Sequence, residues 1–230
     1  MKITVVVPAY NESRRAKIFI KQALKWLSCS EDHTLVIVND GSSDNTFQLM
    51  KELSDRYPKT AVVIDRKINK GKWFTLREGY INARLCFSAN LIAFLDSDLA
   101  IGFDQLVDWD GKFDILTGNR YLGKSEFDPK RGFLSRGFAF LVRMLAGLPV
   151  NDTQAPFKII RHSWDTEKIM NNMLEDRWVG DIEMLLMAKQ RKLKIMEIPV
   201  NYKSVDGDFN VVKNTIRMFF GLIRVVSRWR

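Results

Sequence analysis

Two aspartates, Asp96 and Asp98, close the apolar stretch LIAFLDSDLA at residues 91–100. In an extended strand side chains repeat every second residue, so both carboxylates share a face if the strand runs through them. Side by side they repel unless a cation or a donor-rich ligand lies between them. The competing reading makes one of them a helix cap and leaves the other in water. Which reading holds depends on what the rest of the chain brings to the same place.

Short apolar runs alternate with helical patterns through the first half. ITVVV (3–7) reads as a buried parallel strand that Pro8 stops, and a helical stripe follows between Ser13 and Leu27. TLVIV (34–38) reads as a second strand, ending in the turn and cap residues NDGSSDNT. AVVI (61–64) is a third, leading through NKGK into a helix that carries Trp73, Leu76, Tyr80 and Ala83. LIAFL (91–95) is the fourth. This rhythm predicts an α/β chain with a doubly wound, mostly parallel sheet and helices on both faces. Ligands of such sheets lie beyond the carboxyl ends of the strands, where Asn39, Asp40, NKGK, Asp96 and Asp98 all fall. Neither G-x-G-x-x-G nor G-x-x-x-x-G-K-[ST] occurs, so phosphates need another holder than a glycine cradle. A divalent metal on Asp98 answers that need, since oxygen-only ligands suit Mg²⁺ or Mn²⁺.

The second half is less regular. FDILTGNRY (113–121), NDTQAPFKIIR (151–161) and KIMEIPVNYK (194–203) contain strand patterns, while 131–148 and 180–192 read as helices. From Asn210 the chain forms an amphipathic helix with Lys213, Arg217, Arg224 and Arg228 on one side and a wide apolar face ending in Trp229. This divides the chain into a domain over 1–208 and a basic amphipathic helix over 209–230. Such a helix, with the arginine-bearing 131–148 segment, fits a membrane interface; an ordinary packed helix is the plain alternative. Across 230 residues the net charge is +9, which suits an anionic partner. Nucleic acid is disfavoured because the cations cluster near apolar helices and not among stacking aromatics. Two cysteines and two histidines exclude a thiol or imidazole metal cluster, and no run of about 18 apolar residues spans a bilayer.

VVVPAYNES, VIVNDGSSDNT, INKGKWFTLREG, LIAFLDSD and ILTGNRY resemble, in order and spacing, the inverting GT-A glycosyltransferases of family 2. SRGFAFLVRMLAGLPVNDTQAPFKIIRHS, EDRWVGDIEMLL and IMEIPVNYKSVDG resemble its polyprenyl-phosphate sugar synthases, first the dolichyl-phosphate glucosyltransferase branch and then the mannose synthases. The resemblance implies that Pro8, Tyr10, Glu12 and Asp40 line the base and ribose of a nucleotide sugar. It implies that Lys72 lies near the diphosphate, that Asp96 holds ribose or a metal-bound water, and that Asp98 ligates the metal. Arg120, Ser135 and Arg136 would grip the acceptor phosphate or leaving diphosphate, and Asp181 falls at the general-base position. Ala100 replaces the polar residue that mannose synthases carry after D-x-D-L, and Gly207-Asp208-Phe209 lacks the lysine usual in the relatives.

The reaction so implied moves a hexose from a nucleotide diphosphate sugar to a polyprenyl phosphate with inversion, on the cytoplasmic face of a membrane. UDP-glucose is the preferred donor and GDP-mannose the second. Because a phosphate acceptor is already anionic at neutral pH, positioning arginines matter more than a base. A glycan hydroxyl acceptor would reverse that order and make Asp181 central.

Overall fold

The computed structural model describes residues 2–106, 113–127, 129–204 and 211–229, those at 129–131, 133–134 and 211–215 by backbone alone. The β-branched runs of the first half are buried on both faces, as strands covered by helices on either side must be. β1 (Ile3–Ala9) pairs in parallel with β2 (His33–Asp40) and β4 (Leu91–Leu95), and β2 pairs with β3 (Ala61–Arg66). The crossovers are α1 (Ser13–Leu27), α2 (Thr46–Arg56) and α3 (Lys72–Phe87). Pro8 does not stop the first strand. β1 runs through it, opposite Val38, to Ala9, whereas pairing with β4 ends at Val6. One side of β1 is therefore open at Pro8, where a residue without an N–H is tolerated.

Beyond β4 the sheet changes character. β6 (Phe157–Arg161) inserts antiparallel between β4 and β5 (Ile115–Asn119), and β7 (Ile195–Pro199) closes the far edge parallel to β5. The full order is β3-β2-β1-β4-β6-β5-β7. α4 (Pro129–Ala146), α6 (Gly180–Gln190) and α7 (Val211–Trp229) cover one face, with α5 (Trp164–Asn172) beside α3 and α6. The sequence reading has no counterpart for α5, which starts on a local signal. Ser163 accepts the Thr166 N–H while the Thr166 hydroxyl accepts the Ser163 N–H, a reciprocal cap.

α7 packs Leu222, Val225 and Val226 into the same core as Val142 of α4 and Leu185 of α6. Its basic stripe is divided by that packing. Arg224 donates to Glu175, and Arg228 together with the Trp229 indole donates to Glu183, a fully buried carboxylate. Arg217 is exposed, and the side chain of Lys213 lies outside the described residues. Gly207, Asp208 and Phe209 also lie outside them.

Candidate active site

Strand β4 ends at Leu95, one residue short of the first carboxylate. Asp96 to Leu99 form a tight turn in which the Leu99 N–H reaches the Asp96 carbonyl at 3.3 Å and Leu99 takes φ +57°. The two aspartates are thus delivered by a turn and not by a strand face, correcting the sequence expectation. A bulky residue held in the left-handed region is strained, as happens where a functional turn is over-determined by its surroundings. The Asp98 carboxylate accepts the Ala100 N–H at 3.0 Å. Burial first, and then the charge of Asp96, push Asp98 up to about 6, against opposing pulls from the Ala100 N–H, Lys72 and Arg15.

Lys72 is brought to Asp96 by a doubly clamped turn. Asp40, buried at the end of β2, accepts the N–H groups of Lys70 and Gly71, both at 2.9 Å. Gly71 has φ +108°, and a Cβ there would stand 2.6 Å from the Asp176 carbonyl oxygen, so only glycine fits. That same carbonyl accepts the N–H groups of Trp73 and Phe74, which start α3. The Lys72 ammonium then lies 2.6 and 2.9 Å from the two oxygens of Asp96. Burial alone would lower the Lys72 pKa, yet the charges of Asp96 and Asp181 hold it above the ordinary lysine value.

The loop after β1 is fixed with similar economy. The Glu12 carboxylate accepts Arg15 Nε at 2.7 Å and Nη2 at 2.9 Å, while the Glu12 N–H donates to Thr46. Asp44 accepts the N–H groups of Ser13 and Thr46. Burial would raise Asp44, but the hydrogen bonds from Ser13 and Thr46 win and hold it at about 2. Pro8 is half-buried at the open end of β1 and Tyr10 is exposed beside it. The hydrogen bond to Glu12 raises Arg15 despite burial, and the charge of Asp98 adds to it.

At the centre stands a group of residues to which sequence reading gave, Asp181 apart, no role. Asp181, on the first turn of α6, accepts the Trp73 indole N–H at 2.9 Å on one oxygen and faces the Lys158 ammonium with the other. Lys158 comes from β6, is 2% exposed, and also donates to the Ala155 carbonyl at 2.8 Å. Gly180 permits this approach, because a Cβ there would lie 2.3 Å from the Trp73 ring. Lys72, Asp96, Lys158, Asp181 and Trp73 line a common, partly open cleft with room of about 10 Å³.

The far side carries the candidate acceptor residues. Arg120 is not an open cation. Its Nε and Nη2 donate to Asp152 at 2.7 and 2.8 Å, its N–H donates there too, and Asp152 is 1% exposed. Burial would lower the Arg120 pKa, but the Asp152 bonds raise it further still. Glu197 of β7 holds the other side of this loop by accepting the N–H groups of Asn151 and Asp152, each at 2.8 Å. Ser135 shares a 2.6 Å hydrogen bond with the Tyr121 hydroxyl, and the exposed Arg136 stands 5.9 Å from the Tyr121 ring centre. Tyr121, Arg136, Ala139, Phe140, Arg143 and Asn151 line a groove of about 170 Å³. In the same loop, Thr153 Oγ1 and Gln154 Nε2 are buried without hydrogen-bond partners among the described residues.

The structure therefore brings Lys72, Asp96, Asp98 and Asp181 to one edge of the sheet and sets Ser135 and Arg136 on α4 beyond β5. Lys158, Trp73, Arg15 and Asp152 are the residues that sequence reading left without a role. Arg15 carried a signal, standing three residues after Glu12 on a helix, but the partners of Lys158 and Asp152 are distant in the chain. The donors suit a hard divalent cation. Asp98 is a half-buried carboxylate held beside a second one, Asp96, and both offer oxygen alone. Among the described residues no group of three or more Asp, Glu, His or Cys side chains is placed to hold a metal, so further ligands would come from a diphosphate and water.

Residues 4–167 match the profile of glycosyl transferase family 2. A dolichyl-phosphate beta-glucosyltransferase of Trichomonas vaginalis is 28% identical over 99% of this chain and 75% of its own length. That of Mus musculus is 29% identical over 90% of this chain and 68% of its own. Among solved structures, glucosyl-3-phosphoglycerate synthase from Mycobacterium tuberculosis with Mn²⁺, UDP and glucosyl-3-phosphoglycerate superimposes with a TM-score of 0.65 at 17% identity, covering 99% of this chain and 80% of that one. The mannosyltransferase of Pyrobaculum calidifontis with GDP-mannose and Mn²⁺ gives 0.64 at 12% identity, covering 99% and 63%.

Proposed function

The chain belongs to glycosyl transferase family 2 and is a glycosyltransferase of the GT-A fold, and from that premise we propose that it transfers glucose from UDP-glucose to a polyprenyl phosphate of the dolichyl type. The observation that carries the acceptor class is the state of Asp181. Both its oxygens are occupied, one by the Trp73 indole and one by Lys158. A carboxylate so engaged is poorly placed to take a proton from a sugar hydroxyl. A phosphate acceptor arrives ionised and asks only to be positioned. The names of the Trichomonas vaginalis, Mus musculus and Homo sapiens relatives, each a dolichyl-phosphate beta-glucosyltransferase, favour glucose over the mannose alternative.

Asp98 and Asp96 would hold Mg²⁺ or Mn²⁺, which when bound neutralises charge growing on the leaving diphosphate. Lys72, now on Asp96, stands within reach of the same charge. Ser135, Tyr121 and Arg136 form the acceptor-phosphate side, with Arg120 acting there through the loop it pins. Pro8 and Tyr10 edge the nucleotide side, while Asp40 serves it by shaping the Lys70–Gly71 turn. The lipid chain implies contact with a membrane surface. Among the described residues no helix is long and apolar enough to cross a bilayer. α4 and α7 nevertheless present Phe140, Met144, Ile216, Phe219, Phe220 and Ile223 to solvent, from 39% to 66% exposed. An apolar face of this kind lies well in an interface.

The test is a two-phase assay with short polyprenyl phosphate in detergent, Mg²⁺ or Mn²⁺, and a panel of labelled nucleotide sugars. Label from UDP-glucose should enter the organic phase with wild type and not with Asp98→Ala. Lipid label from GDP-mannose alone would move the donor assignment. No lipid label with folded protein, together with transfer to a glycan, would overturn the acceptor class.

A further inference from the structure

α1 holds Arg14, Arg15, Lys17, Lys21 and Lys25 and has no acidic residue between Ser13 and Leu27. Arg15 is paired with Glu12. The other four are exposed, and among the described residues none of them is in an ion pair. Spacings of three, four and four residues put them on one side of the helix, about 16 Å from end to end. Ile18 stands in their midst, 60% exposed. That arrangement works against the helix itself. Like charges three and four residues apart repel, and cations in a first turn oppose the positive end of the helix dipole. α2, on the same face of the sheet, balances its charge locally, for Lys51 meets Asp55 one turn on at 2.6 Å.

We propose that this side of α1 is a docking surface for an acidic helix of a partner protein, its carboxylates meeting Arg14, Lys17, Lys21 and Lys25 and an apolar side chain covering Ile18. Charge and spacing argue for that occupant. Glutamates at the same three- and four-residue intervals set an anion against each cation and relieve the repulsion along α1. An exposed isoleucine ringed by charge matches the apolar centre and polar rim of a protein contact. A bilayer fits less well. α1 buries Ala16, Phe19 and Ala23 with Val5 and Ile37, whereas α4 and α7 share a core with Val6 and Val36. Alternate residues of a strand point to opposite faces, so α1 lies across the sheet from the apolar surface of α4 and α7. Lipid met by that surface leaves the cations of α1 turned away from it.

The full chain is tested with a short capped helical peptide that places glutamates around a leucine at these spacings, and with a scrambled peptide of identical composition. By fluorescence anisotropy at low salt, wild type should bind the ordered peptide at least about fivefold more tightly than the scrambled one. Lys17→Glu/Lys21→Glu should weaken that binding at least about tenfold and Ile18→Ser about threefold, with kcat and donor KM unchanged. Lys17→Gln/Lys21→Gln controls for misfolding. It should lose binding yet melt no lower than wild type, since removing the cations removes their repulsion. No binding of the ordered peptide, equal binding of both peptides, or undiminished binding by the charge-reversed chain would overturn the docking surface. Flotation with anionic vesicles that the α1 variants lose and Phe220→Asp keeps would hand the cations to lipid and defeat the proposal. Retention on duplex DNA, or self-association, abolished by the same variants would defeat it too. Apart from the placing of lipid on α4 and α7, the inference is independent of the glycosyl-transfer reading, which kcat reports separately.

Discussion

Asp98 shows what one side chain can report about the site. Its pKa of about 6 lies well above that of a free carboxyl, so its proton stabilises the metal-free fold at low pH. The group's favourable contribution is complete below about pH 4 and lost as pH rises through about 6. Asp98→Asn should therefore stabilise the metal-free protein at pH 7 by about 1–3 kcal/mol and hardly at all at pH 4, read from denaturant melts. Mn²⁺ affinity of wild type should climb between pH 5 and 7, since the cation needs the ionised form. Asp44 runs the other way. Held at about 2, it supports the fold above about pH 4 and loses that support as pH falls. Arg120→Ala should destabilise by about 3–5 kcal/mol, because it strands a buried Asp152, so its thermal melt must accompany any activity loss. The D-x-D pair was legible because its spacing is local. Lys158 was not, since a lysine in an apolar run acquires meaning only when Asp181, distant in the chain, arrives beside it.

α7 is the element whose pattern was half readable. Its period announces a helix, but apolar residues occur on both sides, and periodicity cannot say which side packs. The answer lies in buried acceptors elsewhere. Glu183 takes the N–H groups of Leu174 and Glu175 on one oxygen and Arg228 with the Trp229 indole on the other. Half of the stripe expected to meet lipid headgroups thus docks the helix. Glu183→Gln should place an amide against these donors, lower stability by about 1–3 kcal/mol, and speed amide exchange across 211–229. The outward side makes the opposite prediction. Phe220→Asp should reduce binding to anionic vesicles about tenfold in flotation while leaving stability within about 0.5 kcal/mol. Unchanged flotation would remove α7 from the membrane surface.

For the whole molecule, alternating strands and helices made the β3-β2-β1-β4 half legible, because parallel strands buried on both faces read as plain apolar runs. The other half resisted, since an apolar run does not state its direction, and β6 enters against its neighbours. That reversed strand has a consequence for how the protein is made. β1 to β4 are complete once Leu95 is synthesised, yet the outer side of β4 waits for Phe157. At about 5–20 residues per second, the roughly 60 intervening residues leave a bare strand edge for several seconds on the ribosome. An unpaired apolar edge invites pairing with other chains. The nascent first half is thus the stage most exposed to aggregation, and slowing translation before residue 157 should lower the soluble yield more than slowing it afterwards.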